Sequence, residues 1–272
     1  MPELPEVETT RRGIAPFVTD QMITDVTIRQ PSLRWPVPAN LASQLIGKRV
    51  IAVKRRAKYL LLITETATLI IHLGMSGSLR IVEKKQPLKK HDHADIVFAS
   101  GAILRFNDPR RFGAILWTGE NVSGHKLLCH LGVEPLSKLF TGEWLYQHAL
   151  NTKRAVKIFL MDSKVVVGVG NIYATEALYR AGIHPARPAN EVTKQAYKKL
   201  TKAVKQVLER AIDCGGTTLK DFSGSDGKPG YFSIELAVYG RAGKPCVRCG
   251  THLETMRLGQ RASCFCPKCQ PF

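Results

Sequence analysis

Four of the seven cysteines in this 272-residue chain stand at a spacing that points to one chemistry. Cys246-x2-Cys249 and Cys266-x2-Cys269 are two doublets, each short enough for one tight knuckle, with residues 250–265 between them to form a hairpin. Two such knuckles brought together make the tetrahedral thiolate set of a zinc ion. Four thiolates leave no open position for water, so the ion would fold the segment and catalyse nothing. Four unrelated buried thiols are the alternative, and they leave the doublets unexplained. Cys129, Cys214 and Cys264 lack a spaced partner and read as structural thiols, with an exchange of ligand between Cys264 and Cys266 left open.

The start of the chain offers a second chemistry. Pro2-Glu3-Leu4-Pro5-Glu6 follows Met1, and a small second residue permits removal of the methionine to expose a secondary amine. An α-amino group titrates near 7.7–8.0 and lysine near 10.4, so at neutral pH roughly a tenth of the former is free base, against fewer than about one in a thousand lysines. A secondary amine that condenses with a carbonyl carbon gives an imine of fixed positive charge, because no second proton is there to leave. Such a cation draws electrons from the neighbouring carbons, and Glu3 stands beside it to carry protons. The same residues would also serve as a plain helix leader.

Lys and Arg number 40 against 22 Asp and Glu, a formal net charge of +18. A balance this basic bears on partners and association, not on fold. Nucleic acid, an anionic membrane surface or an acidic protein would each answer it. No apolar run approaches the roughly 20 residues of a spanning helix; Tyr59 to Ile63 is of strand length. The N-terminal residues are acidic and punctuated by proline, the reverse of a secretory leader. The expectation is a reducing cytoplasm, where cysteines serve metals more often than disulfides, with nucleic acid as partner and no membrane. The cysteine module agrees: Arg241, Lys244, Arg248, Arg257, Arg261 and Lys268 face only Glu254, and Arg261 falls near the hairpin tip.

These residues need elements to hold them. Residues 1–18 read as an amphipathic helix with Pro5 in its first turn, Glu6 and Glu8 at its positive end and Val7, Thr10, Ile14 and Phe17 on one face. Short β-branched and aliphatic runs follow, among them Ile23–Ile28, Val50–Val53, Tyr59–Thr64, Thr68–His72, Ala94–Phe98 and Ala114–Trp117, separated at hairpin intervals. They predict a β-sandwich or barrel. From about Gly132 the pattern turns helical: Gly142–Leu150, Val156–Leu160, then Ile172–Ala181 with Asn171 as its N-cap and Gly182 as its stop. A longer helix shows Ala196, Leu200, Ala203, Val207 and Ala211 on one face and ends at Gly215-Gly216, before a Gly/Ser/Pro-rich loop over 217–230.

In order along the chain, Pro2–Thr9, Lys58–Leu60, His72–Gly77, His91–His93, Asp108–Gly113, Gly168–Tyr173, Thr218–Phe222 and the terminal cysteines resemble the formamidopyrimidine-DNA glycosylase family over its whole length. The resemblance implies an α+β multidomain chain: an N-terminal helix plus β-sandwich over 1–130, a helix–two-turns–helix domain over 131–232 and a four-cysteine zinc ribbon over 233–272. It implies a monomer that acts on damaged double-stranded DNA, removing 8-oxoguanine and formamidopyrimidines and then nicking the strand by β,δ-elimination. Pro2 would be the nucleophile, Glu3 the acid that opens the sugar, Lys58 the proton donor in β-elimination and Arg261 the residue tied to δ-elimination. Met75, Arg110 and Phe112 would fill the gap left by the extruded base. His91, Lys153, Lys157 and Asn171 would contact DNA, and Lys220 would lie in a lid, 217–230, over the lesion. Cys246, Cys249, Cys266 and Cys269 would hold one structural zinc.

Read alone, several of these residues have plainer roles: Lys58 a solvated strand-end lysine, Arg261 a phosphate contact, Met75 and Phe112 core residues, Asn171 a cap, and 217–230 a linker. Leu4 and the run from Asp226 to Phe232 favour the purine branch over the endonuclease VIII group, whose members typically begin Pro-Glu-Gly. A non-catalytic DNA-binding regulator or an RNA-binding ribbon protein would account for charge and zinc but not for a Pro-Glu terminus.

Overall fold

The computed structural model describes residues 2–83, 85–119, 121–217 and 235–272. Lys220, most of the expected lid and the run from Asp226 to Phe232 lie outside the described residues. The chain divides into two units, Met1–Cys129 with Cys214–Ser233, and His130–Asp213 with Ile234–Phe272. No helix among the described residues is long and apolar enough to cross a membrane.

The first unit opens with α1, Leu4–Val18. The helix was expected from residue 1, but Pro2 and Glu3 precede it. The Glu6 carboxylate accepts the Glu3 N–H at 2.8 Å and holds Glu3 extended as the N-cap, while Pro5 sits where a missing N–H costs nothing. Val7, Thr10, Ile14 and Val18 form the buried stripe. Phe17, expected on that face, is 51% exposed, because the i+4 step from Ile14 reaches Val18.

Eight strands follow: β1 Ile23–Ile28, β2 Val50–Arg56, β3 Tyr59–Thr64, β4 Thr68–His72, β5 Ser78–Val82, β6 Asp92–Phe98, β7 Ile103–Asn107 and β8 Ala114–Thr118, with a short helix α2, Leu41–Leu45, before β2. They form two four-stranded antiparallel sheets, ordered β1-β6-β7-β5 and β2-β3-β4-β8. Leu60 and Leu62 of β3 and Leu69 and Ile71 of β4 share one buried cluster with Leu79, Ile96, Phe98, Leu104 and Phe106 of the other sheet. Two separate sheets around a shared core make a sandwich, not a barrel. Each such side chain contributes about 1.5–3 kcal/mol by leaving water.

Charge is also part of the first sheet. Arg80 on β5 and Arg105 on β7 stand directly opposite one another, a repulsive register by itself. Asp92 and Asp95 of β6 neutralise them: Arg80 Nη2 reaches Asp92 at 2.7 Å and Arg105 Nε reaches Asp95 at 2.8 Å, while Arg29 also pairs with Asp95. Burial alone would raise the Asp95 pKa, but the two arginines outweigh it and hold the carboxyl low.

The second unit is helical: α3 Gly142–Ala149, α4 Val156–Leu160, α5 Asn171–Ala181 and α6 Lys194–Asp213, followed by a hairpin of β9 Glu254–Leu258 and β10 Arg261–Phe265. The buried face of α6 is wider than expected, taking in Tyr197, Val204 and Leu208, while Ala196 is only half-buried. Tyr197 meets Phe159 edge-on at 6.2 Å. Gly182 ends α5 at φ +70°, where a side chain would be strained. The wholly buried Glu176 accepts the N–H groups of Ala237, Val238 and Tyr239 at 3.0, 2.9 and 2.8 Å, which pins the segment leading to the cysteines.

Candidate active site and nucleic-acid interface

Pro2 and Glu3 are both buried, Glu3 at 2% exposure. The carboxylate that fixes the Glu3 N–H belongs to the wholly buried Glu6, whose other oxygen accepts the Thr217 N–H at 2.9 Å and its hydroxyl at 2.8 Å. Lys58 lies in the two-residue turn between β2 and β3, after Ala57 at φ +53°. That end of β2 is tied to α1 because Arg55 Nε reaches Glu8 at 3.2 Å, with Arg11 and Arg12 on the same carboxylate. Burial would raise the Glu8 pKa; the three arginines outweigh it and hold the group charged.

His72 stands opposite Tyr59, one residue from Lys58. Its Nδ1 accepts the Gly74 N–H at 3.0 Å, which assigns the ring proton to Nε2. Burial, then the charges of Lys58 and Arg34, push its pKa down to about 4, so the ring is a neutral donor at physiological pH.

Met75, Arg110 and Phe112 come from two turns that touch through their backbones. A Cβ on Gly74, at φ +65°, would lie 2.5 Å from Gly113 N and Phe112 C, so only glycine lets the turns meet. Met75 is half-buried, Phe112 is 43% exposed, and the Arg110 guanidinium stacks 5.0 Å from the Phe112 ring centre. This is an exposed apolar and cationic tip on a rigid base. The His91 carbonyl accepts the N–H of Asp108, two residues before Arg110, at 3.1 Å, and His91 itself sits at φ +72°, after Lys89 and Lys90. The Asp92 carboxylate fixes that stretch by accepting the Lys89 N–H and Asn107 Nδ2, each at 2.8 Å.

In the second unit, Asn171 is the first residue of α5 and not its cap; Gly170, extended, takes that place. The Asn171 Oδ1 is buried with no hydrogen-bond partner among the described residues; it is an unsatisfied acceptor and calls for a donor, so only the helix start itself favours an anion here. Lys153 is exposed. Lys157 corrects the expectation of a phosphate contact: it is wholly buried, and its ammonium donates to Ser263 Oγ at 2.7 Å and Ala262 O at 3.1 Å. It therefore anchors β10 beside Arg261. Arg261 is exposed and follows the tight turn Gly259-Gln260, both at positive φ.

The four cysteine sulfurs lie within 4.8 Å of one another. Cys246 and Cys269 are 3.9 Å apart and Cys249 and Cys266 3.5 Å, against about 3.8 Å for the edge of a tetrahedron with zinc–sulfur bonds near 2.3 Å. The Arg248 N–H points at Cys246 and the Cys269 N–H at Cys266, each at 3.4 Å, as two knuckles require. The residues fit one structural zinc. Cys264 is not in the set; burial pushes its thiol up and leaves it a core residue.

His72, Ser76 and Asp108 fall inside the motifs His72–Gly77 and Asp108–Gly113, but no local pattern gives them roles. Glu6 was read only as a helix-dipole residue, since its contact with Thr217 is invisible to local pattern.

Three family models match the chain. Residues 1–115 match the formamidopyrimidine-DNA glycosylase N-terminal domain, 131–223 the formamidopyrimidine-DNA glycosylase H2TH domain, and 243–271 a zinc finger found in FPG and IleRS. The formamidopyrimidine-DNA glycosylase of Syntrophotalea carbinolica is 58% identical over 99% of this chain and 100% of its own, and that of Pseudomonas putida 57% over the same shares. The solved Fpg protein of Thermus thermophilus superposes with a TM-score of 0.89 at 38% identity, over 99% of this chain and 98% of that one. A mutant Lactococcus lactis Fpg in complex with DNA containing Fapy-dG gives 0.93 at 31% identity, over 100% of both chains.

Proposed function

The chain belongs to the formamidopyrimidine-DNA glycosylase family, and from that premise we propose that it excises oxidised purines from duplex DNA through a Pro2 imine and then nicks the strand. It is a DNA glycosylase of oxidised-base repair, with damaged DNA as its partner and a zinc finger of four cysteines. The finer chemistry follows from the residues in place. With Met1 removed, the Pro2 nitrogen attacks C1′ of the extruded nucleotide. The bond from C1′ to the base breaks, the base leaves with a proton, and Glu3 protonates the ring oxygen as the sugar opens to a cationic imine. Loss of a C2′ proton then expels the 3′ phosphate, with Lys58 supplying a proton, and a second elimination tied to Arg261 expels the 5′ phosphate. Water finally releases Pro2.

Met75, Arg110 and Phe112 occupy the gap in the stack, which offsets part of the few kcal/mol that extrusion costs. His91, Lys153, Asn171 and Lys220 take the DNA backbone and the lesion side. The observation that carries this reading is the burial of Pro2 and Glu3 ahead of α1, with the Glu3 backbone fixed by Glu6. Borohydride added during turnover of a duplex with one 8-oxoguanine tests it. The expected product is a covalent protein–DNA adduct that peptide mapping places on residue 2. An adduct on Lys58, or no strand scission at all, overturns the assignment.

A further inference from the structure

Asp108 is wholly buried and fully engaged. Its Oδ1 accepts the Ser76 hydroxyl at 2.8 Å and its Oδ2 the Gly113 N–H at 2.8 Å. Its carbonyl accepts His93 Nε2 at 2.8 Å, and its N–H donates to the His91 carbonyl at 3.1 Å. Ser76 Oγ in turn accepts the Arg110 N–H at 3.3 Å. One residue therefore joins the neighbours of Met75, of Phe112 and of His91, together with the backbone of Arg110.

We propose that Asp108 is a positioning residue for base extrusion, holding Met75, Arg110 and Phe112 as one preset wedge; this rests on the functional reading above. Its side chain lies beneath the tip and presents nothing to DNA. The physical case is one of preorganisation. Extrusion already costs the stacking and pairing of the base. Loose turns would add the conformational entropy of every residue ordered at that moment. Hydrogen bonds to a carboxylate are about twice as strong as neutral ones, and here they order two turns before DNA arrives.

Asp108→Asn keeps the shape and removes the charge. Its Oδ1 can serve Gly113, but its Nδ2 must then donate to Ser76, turning that hydroxyl around and weakening the hold on the Met75 turn. The test compares single-turnover excision of 8-oxoguanine from intact duplex with cleavage of a preformed abasic site, where less unstacking is needed. Asp108→Asn should lose about tenfold on the first, the scale of one charge-assisted hydrogen bond, and stay within about twofold on the second. Combined with Met75→Ala, it should lose no more than the worse single variant, because both act through one device. Ser76→Ala removes the link to Arg110 and should show the same split, which covers the case of a poorly folded Asp108→Asn.

Unchanged excision in folded Asp108→Asn and in Ser76→Ala overturns the proposal. So do equal losses on both substrates, or losses that multiply with Met75→Ala. A wild-type protein that cuts neither duplex overturns the functional reading itself, and is told apart because no variant comparison is then needed.

Discussion

Replacing His72 with asparagine isolates the consequence of burying an imidazole beside a lysine. In the wild-type protein Nδ1 accepts the Gly74 N–H at 3.0 Å, and an asparagine Oδ1 takes over that acceptor. Burial first, then Lys58 and Arg34, lower the imidazole pKa from 6.5 to about 4. Between those values the unfolded chain binds a proton that the folded protein does not. Stability therefore rises with pH across that window and falls as the solution is acidified. A difference of about 2.5 pH units, at 1.36 kcal/mol each, gives about 3.4 kcal/mol in full, of which about 3 kcal/mol is reached by pH 4 and almost none is left above pH 7. Urea unfolding of both proteins at steps between pH 7 and pH 4 reads it directly. Carboxylates and cysteine thiolates titrate in both and cancel in the difference. The wild type should lose about 3 kcal/mol more than His72→Asn over that range. Parallel stability curves would refute the argument, and a wild type that gained on the variant would mean a charged ring in the folded state.

Cys246→Ser should lose bound zinc, read by metal analysis, together with DNA affinity, since the hairpin folds around the ion; full duplex binding by a metal-free protein would contradict this. Lys157→Met should destabilise the second unit by about 1–3 kcal/mol, because it leaves the Ala262 carbonyl without its donor. Amide exchange over Arg261–Ser263 should quicken, and unchanged exchange would show that the contact holds nothing. Duplex affinity should fall by about 0.9 log units per log unit of salt for each phosphate neutralised; a flat response between low and physiological salt would remove the polyanion from the account.

Sequence pattern was enough where side chains were apolar: β1, β3 and β4 run over the residues expected from their β-branched and aliphatic runs, and the doublet spacing led to the four zinc ligands. It was weakest where charge is buried. Arg80 and Arg105 make β5 and β7 look like surface until Asp92 and Asp95 are placed beside them. Lys157 misled for the same reason, since a lysine carries no local sign that its partner lies on a distant hairpin. Asn171 has the composition of a cap, but a glycine before it accepted the extended backbone instead. The Gly74 and Gly113 approach was legible as two glycine-flanked motifs, though not as one base.

Glu6 joins residues 211 positions apart. The link has a consequence for the order in which a ribosome-borne chain can mature. The first turn of α1 is synthesised early, yet one oxygen of its buried carboxylate gains the Thr217 N–H and hydroxyl only when that residue emerges. Every residue of the intervening helical stretch must be made before then. Until that point two of the hydrogen bonds to the carboxylate that holds the Glu3 N–H are missing, so the Pro2–Glu3 segment is less firmly fixed than in the finished chain. Pulse-labelled nascent chains arrested short of residue 217 should accordingly leave the N-terminal segment accessible to modifying reagents, and chains extended past it should protect it.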